Sequence, residues 1–105
     1  MSEAKLSQDI CKFLRAIGFA VWSTEQGYRK EAGGTRQTPG IADLIIMGHG
    51  IFLFAELKWG KNKLRPAQEV FRDECRRADV EWVEWRSTDD AWDWCVENGF
   101  ITEAT

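Results

Sequence analysis

Asp43, Glu56 and Lys58 are the residues of this chain whose types and spacing could support chemistry on a phosphate group. Glu56 and Lys58 are two residues apart, so they share one face if the segment is a β-strand. Two carboxylates and a backbone carbonyl form an all-oxygen site that suits Mg²⁺ and leaves positions for water and phosphate. A lysine beside it would orient the attacking water and stabilise the charge that develops on the phosphate. These residues therefore indicate metal-assisted attack of water on a phosphate group.

The segment around these residues has the pattern of a β-hairpin. Two β-rich runs, residues 41–47 and 51–58, are separated by Gly-His-Gly at residues 48–50, which is typical of a tight turn. With a loop of two or four residues centred on the His-Gly pair, Asp43 lies directly opposite Glu56. Opposed residues have Cβ atoms about 4.5–5.5 Å apart, where two like charges are destabilising. This register predicts a cation between the two carboxylates.

The alternative interpretation is that Asp43 is an edge-strand charge and that Glu56 and Lys58 are a solvated pair. Alternation along the strands argues against it, because apolar residues flank the charges on the same face: Ile45, Phe52 and Phe54. The opposite face of the same strands is apolar throughout: Leu44, Ile46, Leu53, Ala55 and Leu57. A hairpin with one fully apolar face is anchored on a core, so the charged residues are expected on a rigid element.

Helices and further strands are predicted on both sides of the hairpin. An amphipathic helix ends at Gly18, and its apolar positions recur at helical spacing: Leu6, Ile10, Phe13, Leu14 and Ile17. A strand at residues 19–23 and a polar, Gly-rich loop at residues 25–40 follow it.

After the hairpin, Pro66 begins a second helix, whose apolar stripe is Ala67, Val70, Phe71, Cys75 and Ala78. Residues 80–85 form a strand, and Ser87 caps a last helix that runs to about Glu97 and is closed by Gly99. The predicted order is αβββαβα, which gives a mixed central sheet flanked by helices and an α/β (α+β) class.

Length and composition allow one domain, residues 1–105, with 44% hydrophobic residues. The sequence has no apolar run long enough to span a membrane and no secretory signal pattern, so an intracellular protein is expected. The three cysteines show no CxxC spacing and the chain has one histidine. A disulfide or zinc framework is therefore not expected, and the thiols are predicted to be buried and inert.

The net charge of −3 hides an uneven distribution. Residues 1–66 carry 10 Lys and Arg against 6 Asp and Glu, whereas residues 67–105 carry 4 against 11. The acidic average therefore does not exclude nucleic acid as a partner, because the half that contains Asp43 and Lys58 is basic.

The set Asp43, Glu56-Leu57-Lys58 and Gln68 resembles the motif of PD-(D/E)XK nucleases, and the layout is similar to a stand-alone VRR-NUC domain of the viral or bacterial type. The resemblance covers residues 3–96, nearly the full chain. A Gly before the aspartate, the hairpin, a basic Gly-Lys-Asn-Lys linker and Pro-Ala-Gln at a helix start make it fairly specific. One departure is Ala42, where the motif has proline. That proline shapes the backbone and is not a metal ligand.

The resemblance implies a restriction-endonuclease-like αβββαβ core and a metal-dependent endodeoxyribonuclease. It implies Mg²⁺ or Mn²⁺ held by Asp43, Glu56 and the Leu57 carbonyl, with Lys58 as the catalytic lysine and Gln68 as a helper near the scissile phosphate. Glu3 matches a further glutamate that members contribute from the first helix. For Glu3 the alternative is a favourable charge at a helix N-terminus.

Positive residues bracket this set and are predicted to contact DNA phosphates: Arg29, Lys30, Arg36, Lys61, Lys63 and Arg65. The leading hypothesis is a homodimeric four-way (Holliday) junction resolvase acting on branched double-stranded DNA. A dimer is expected because symmetric resolution needs two nicks and the chain has one site. A flap-directed, nick-directed or nonspecific nuclease with the same site is the alternative. A third hypothesis is a catalytically silent nucleic-acid-binding module.

Exposed aromatic residues leave two interpretations open. Trp22, Tyr28 and Trp59 could stack on unpaired bases, or they could belong to the core or to a protein interface. Strand alternation places Trp82 and Trp85 on opposite faces, so one of these two is expected outside the core.

Overall fold

The computed structural model describes residues 2–24, 28–29, 34–35 and 39–102. Three helices lie at α1 (Glu3–Ala16), α2 (Pro66–Arg77) and α3 (Thr88–Glu97). Strands in the described residues lie at β1 (Ala20–Ser23), β2 (Tyr28–Arg29), β3 (Gly34–Thr35), β4 (Leu44–Gly48), β5 (Ile51–Leu57) and β6 (Glu81–Trp85). This α+β arrangement confirms the predicted mixed sheet with flanking helices.

The main sheet has the strand order β1-β4-β5-β6. The pairs β1–β4 and β4–β5 are antiparallel, and β5–β6 is parallel. The β4–β5 turn places His49 (φ 53°) and Gly50 (φ 81°) in the left-handed region, which is the two-residue type I′ geometry. Leu44 therefore pairs with Ala55, and the predicted register of the hairpin is correct.

The core lies between one face of this sheet and helices α1 and α3. Every second residue of the central strands is buried on this face: Leu44, Ile46, Leu53, Ala55 and Leu57. The helices contribute the facing side chains: Leu6, Ile10, Leu14, Ala91 and Cys95. Ser2 caps α1 by accepting a hydrogen bond from the Lys5 N–H. Gly18 follows this helix with φ 100°, as its predicted position requires.

Helix α2 packs on the other face of the sheet, and fewer of its apolar residues are buried there than the sequence predicts. Phe71 packs edge-on against Phe54 with ring centroids 4.9 Å apart, and Cys75 is buried. Val70 and Ala67 are exposed, so their assignment to an apolar stripe is wrong. Helix α2 also packs against β6. On the β1–β4 side of this face, Trp22 and Met47 are exposed.

Two boundaries differ from the sequence prediction. The segment 25–40, expected to be a loop, contains an antiparallel pair in which Tyr28 faces Thr35. Strand β4 begins at Leu44 and not at residue 41. Just before it, the Thr24 N–H donates to the Asp43 carbonyl oxygen and the Thr24 hydroxyl group donates to the Ala42 carbonyl oxygen.

Residues outside the catalytic set have the structural roles expected of them. His49 Nε2 lies 2.9 Å from the Ile17 carbonyl oxygen, and its ring packs edge-on against Phe19. The three cysteines are buried and free: Cys11, Cys75 and Cys95. Trp85 is buried while Trp82 is only half-buried. No helix in the described part of the chain is both long and apolar enough to cross a membrane.

Candidate active site

An open cavity of about 540 Å³ lies where several elements of the fold meet at one end of the sheet. The first turns of α1 and α2, the end of β1, the segment before β4 and the end of β5 all contribute to its wall. It is lined by Glu3, Ser7, Ser23, Asp43, Glu56, Leu57, Lys58, Arg65 and Gln68, among others. The structure therefore brings every proposed catalytic and metal-binding residue to one place.

Asp43 is held just outside the β4 ladder by hydrogen bonds on two sides. Its Oδ2 accepts a hydrogen bond of 2.8 Å from the Leu57 backbone N–H. Its carbonyl oxygen accepts one of 2.9 Å from the Thr24 N–H. The Asp43 carboxylate therefore takes the place of the backbone carbonyl oxygen that would accept from Leu57 if the β4–β5 pairing continued. This bond fixes the carboxylate beside the end of β5.

Glu56 is a buried carboxyl group, with 2% of the residue exposed. Its Oε2 accepts a hydrogen bond of 3.2 Å from Gln68 Nε2, whereas no donor among the described residues reaches its buried Oε1. Burial chiefly raises the pKa of Glu56 from 4.5 to about 9. A hydrogen bond with the Asp43 carboxyl group and the negative charges of Asp43 and Glu3 raise this pKa further, whereas the positive charge of Lys58 lowers it. Without a cation, Glu56 is therefore protonated at neutral pH.

The site fits a hard divalent cation. No donor among the described residues reaches Oε1 of Glu56, and a cation would balance the negative charge of the neighbouring Asp43 carboxylate. In a β-strand, the N–H and C=O groups of one residue point to the same side. The Leu57 N–H donates to Asp43, so the Leu57 carbonyl oxygen lies on the Asp43 side of β5. Two carboxylates and a carbonyl are the oxygen ligands that Mg²⁺ and Mn²⁺ accept.

Glu3 lines the same cavity from the first turn of α1, and it is exposed. Within the described part of the chain, no three side chains of Asp, Glu, His or Cys form a group that could hold a metal ion. Glu3 therefore stands apart from the pair formed by Asp43 and Glu56, and its direct coordination of a metal remains a prediction.

Lys58 follows the last residue of β5 and is 7% exposed. Its backbone N–H donates to the Trp85 carbonyl oxygen over 3.0 Å, which extends the β5–β6 pairing by one residue. Its Nζ makes no ion pair with the carboxylates that the structure describes. A buried ammonium group that borders a cavity and has no carboxylate partner is suited to receive an anion.

Gln68 is oriented by the start of α2. Its side-chain Oε1 accepts a hydrogen bond of 2.8 Å from the Arg65 backbone N–H, just before the helix, and Pro66 occupies the first helical turn. This bond fixes the amide so that Nε2 faces Glu56. The cap that begins the helix therefore also positions the amide at the carboxyl group.

The positive residues expected to bind DNA fall into three groups. Arg65 lines the cavity, and Lys61 and Lys63 are exposed in the β5–α2 segment next to it. Arg29 belongs to β2 by its backbone. Lys30 and Arg36 lie outside the described residues.

Sequence reasoning missed Ser7 and Ser23, which also line the cavity. Ser7 lies one helical turn after Glu3, so the same helix face carries both. Ser23 faces Leu44 across the β1–β4 pair. The i,i+4 spacing could have identified Ser7, but Ser23 depends on the β1–β4 pairing, which the sequence does not specify.

Comparison with known proteins gives a structural match. No protein-family model matches the sequence, and no curated protein matches it. One solved structure, described as a VRR_NUC domain, superposes with a TM-score of 0.66 and 20% sequence identity. The match covers 90% of this chain and 94% of the other. This chain therefore has the VRR-NUC fold, as the resemblance of its motif predicts.

Proposed function

We propose that the protein is a divalent-cation-dependent nuclease that hydrolyses DNA phosphodiester bonds. The observation that carries this proposal is the buried Glu56 carboxyl group, whose Oε1 has no donor among the described residues while Asp43 and Lys58 border the same cavity. A purely structural carboxyl group would have its buried oxygens paired. The VRR-NUC fold of the chain supports a nuclease of the PD-(D/E)XK type.

The chain's own residues have separable roles in this reaction. Asp43, Glu56 and the Leu57 carbonyl would hold the cation, which supplies Lewis-acid polarisation of the phosphate and lowers the pKa of water. Lys58 places an ammonium group where negative charge develops on the phosphate as water attacks, and the low solvent exposure strengthens that interaction. Gln68 holds Glu56 in its orientation through the Nε2–Oε2 hydrogen bond.

Catalysis is tested with labelled DNA, Mg²⁺ and three single variants: Asp43→Asn, Glu56→Gln and Lys58→Ala. Asp93→Asn, an exposed carboxylate on α3, is the matched control. Each site variant is expected to lose cleavage by at least about 100-fold, while the control cleaves normally. Full cleavage by any site variant that folds would refute the assignment. DNA binding without cleavage by the unaltered protein would instead support a silent binding module.

The substrate proposed for this site is branched double-stranded DNA, and the proposed assembly is a homodimer that resolves four-way junctions. Resolution needs one nick on each of two strands, and the chain offers one such cavity among its described residues. Two copies related by a two-fold axis would supply the pair of sites.

Four-way, flap and linear DNA of the same sequence distinguish the possible substrates. Symmetric nicks near the crossover support the resolvase, and sedimentation at micromolar concentration should then show a dimer. Equal cleavage of all three DNAs would favour a nonspecific nuclease. A monomer that still cuts junctions symmetrically would refute the homodimer.

A further inference from the structure

The face of the sheet opposite α1 and α3 carries an uncovered aromatic residue next to the candidate site. Trp22 on β1 pairs with Ile45, and Ile45 pairs with Phe54, so the three form one cross-strand row. Helix α2 covers the Phe54 end of this row through Phe71. At the other end of the row, 61% of Trp22 is exposed.

The row formed by Trp22, Ile45 and Phe54 lies next to the carboxylates along the strands. Glu56 is two residues after Phe54 on β5, so it lies on the same face, about 7 Å further along the strand. The residues that follow Trp22 bind directly to the site: Ser23 lines the cavity, and Thr24 donates to the Asp43 carbonyl oxygen. The backbone of Trp22 is therefore fixed relative to Asp43.

The charges around this end of the sheet favour a nucleic acid over a protein partner. Lys61, Lys63 and Arg65 make no ion pair with any described carboxylate, whereas Arg72 and Arg86 elsewhere on the surface are paired. Unpaired cations suit a phosphate backbone, while the cores of protein interfaces are depleted of lysine. Proteins that bind single-stranded nucleic acid combine such cations with exposed aromatic side chains that stack on unpaired bases.

We propose that Trp22 is a stacking platform for an unpaired nucleobase adjacent to the scissile phosphate, so that the site selects DNA with unstacked bases over continuous duplex. This inference rests on the proposed nuclease function, because it assigns the base to a nucleotide whose phosphate lies in the cavity. Trp22 is a specificity residue and takes no part in bond cleavage.

Binding is measured in EDTA by fluorescence anisotropy, with a labelled duplex and with the same duplex containing a short single-stranded gap. Trp22→Ala should weaken binding of the gapped DNA about 5- to 100-fold and leave duplex binding unchanged, and Trp22→Phe should restore most of the loss. The matched control is Trp92→Ala, since Trp92 is 40% exposed but lies on α3.

Equal affinity of Trp22→Ala and the unaltered protein for gapped DNA would overturn the proposal. Phe52 is also exposed on this face. If Trp22→Ala and Phe52→Ala both convert a dimer to a monomer, the face binds a second copy of the chain, and this result would also overturn the proposal. Binding in EDTA requires no hydrolysis. A protein that cleaves no DNA but shows the Trp22 effect would therefore refute the nuclease and not the stacking platform.

Discussion

Gln68 donates a hydrogen bond from Nε2 to Oε2 of Glu56 over 3.2 Å, while its Oε1 accepts the Arg65 N–H. Both ends of the amide are therefore committed, one to the helix cap and one to the carboxyl group. The orientation of a proposed metal ligand thus depends on the start of α2. Outer-shell hydrogen bonds of this kind typically change metal affinity or activity 10- to 100-fold when they are removed.

The first prediction concerns this hydrogen bond. Gln68→Ala should reduce Mg²⁺-dependent cleavage about 10- to 100-fold, because Glu56 loses its donor and the Arg65 N–H at the start of α2 loses its acceptor. Single-turnover cleavage at a series of Mg²⁺ concentrations checks it, and saturating metal should recover part of the rate. Glu69→Ala, at the next and exposed position of α2, is the control for changes in the helix itself. Equal rates for the two variants would contradict this role of Gln68.

The second prediction concerns stability as a function of pH in the absence of metal. Burial and Asp43 raise the pKa of Glu56 from 4.5 in the unfolded chain to about 9 in the folded protein. The folded state therefore keeps a proton that the unfolded chain releases, and the contribution of Glu56 to stability is fully present below pH 4.5 and is lost as pH rises toward 9.

Urea unfolding midpoints in EDTA between pH 5.5 and 8.5 test this pH dependence. The unaltered protein should lose stability across this range, and Glu56→Gln should lose much less because its amide does not titrate. Parallel pH profiles for the two proteins would show that Glu56 does not hold the proton.

The third prediction concerns the exchange of this proton for a cation. At pH 7 the raised pKa keeps Glu56 protonated, so binding of Mn²⁺ must displace that proton. Calorimetric titrations in buffers with different ionisation enthalpies should give about one proton released per ion bound. Asp43→Asn should bind Mn²⁺ much more weakly. Binding that releases no proton would place the cation away from Glu56.

The part of the site that depends on short-range pattern was predictable from the sequence. The Gly-His-Gly turn predicts a loop of two or four residues centred on the His-Gly pair, and either length gives the register in which Leu44 faces Ala55. Asp43 and Glu56 follow from that register as neighbours at the end of the hairpin. The Ser87 cap of α3 is equally local, since Ser87 Oγ accepts a hydrogen bond from the Asp90 N–H.

The features that the sequence did not predict depend on contacts between distant segments. The burial of Glu56 requires α2 and β6 to lie beside β5, and its unpartnered Oε1 appears only once those elements are placed. The exposure of Val70 has the same origin, because helical spacing shows which residues share a face and not how much of that face is covered. The bond from Thr24 to Asp43 likewise joins segments that are distant in the sequence.

The last prediction concerns the close approach between the segment before Asp43 and the start of α2. Gly40 has φ 85°, and a Cβ there would lie 2.4 Å from the Ala67 carbonyl oxygen. Gly40→Ala should therefore be destabilising by about 2–4 kcal/mol, through left-handed strain and backbone overlap together. Gly99→Ala is the matched control, because Gly99 has a similar φ of 79° but open space around its Cβ position.

The difference between the two alanine variants isolates the Gly40–Ala67 contact from backbone strain. Gly99→Ala should cost about 1 kcal/mol, and the excess loss in Gly40→Ala measures the overlap. Thermal and urea unfolding give both values. Because Gly40 precedes Asp43 and Ala67 precedes Gln68, a Gly40→Ala protein that still folds should also lose cleavage, whereas Gly99→Ala should keep it. Equal stability and equal cleavage in both variants would show that this contact does not set the distance between Asp43 and Gln68.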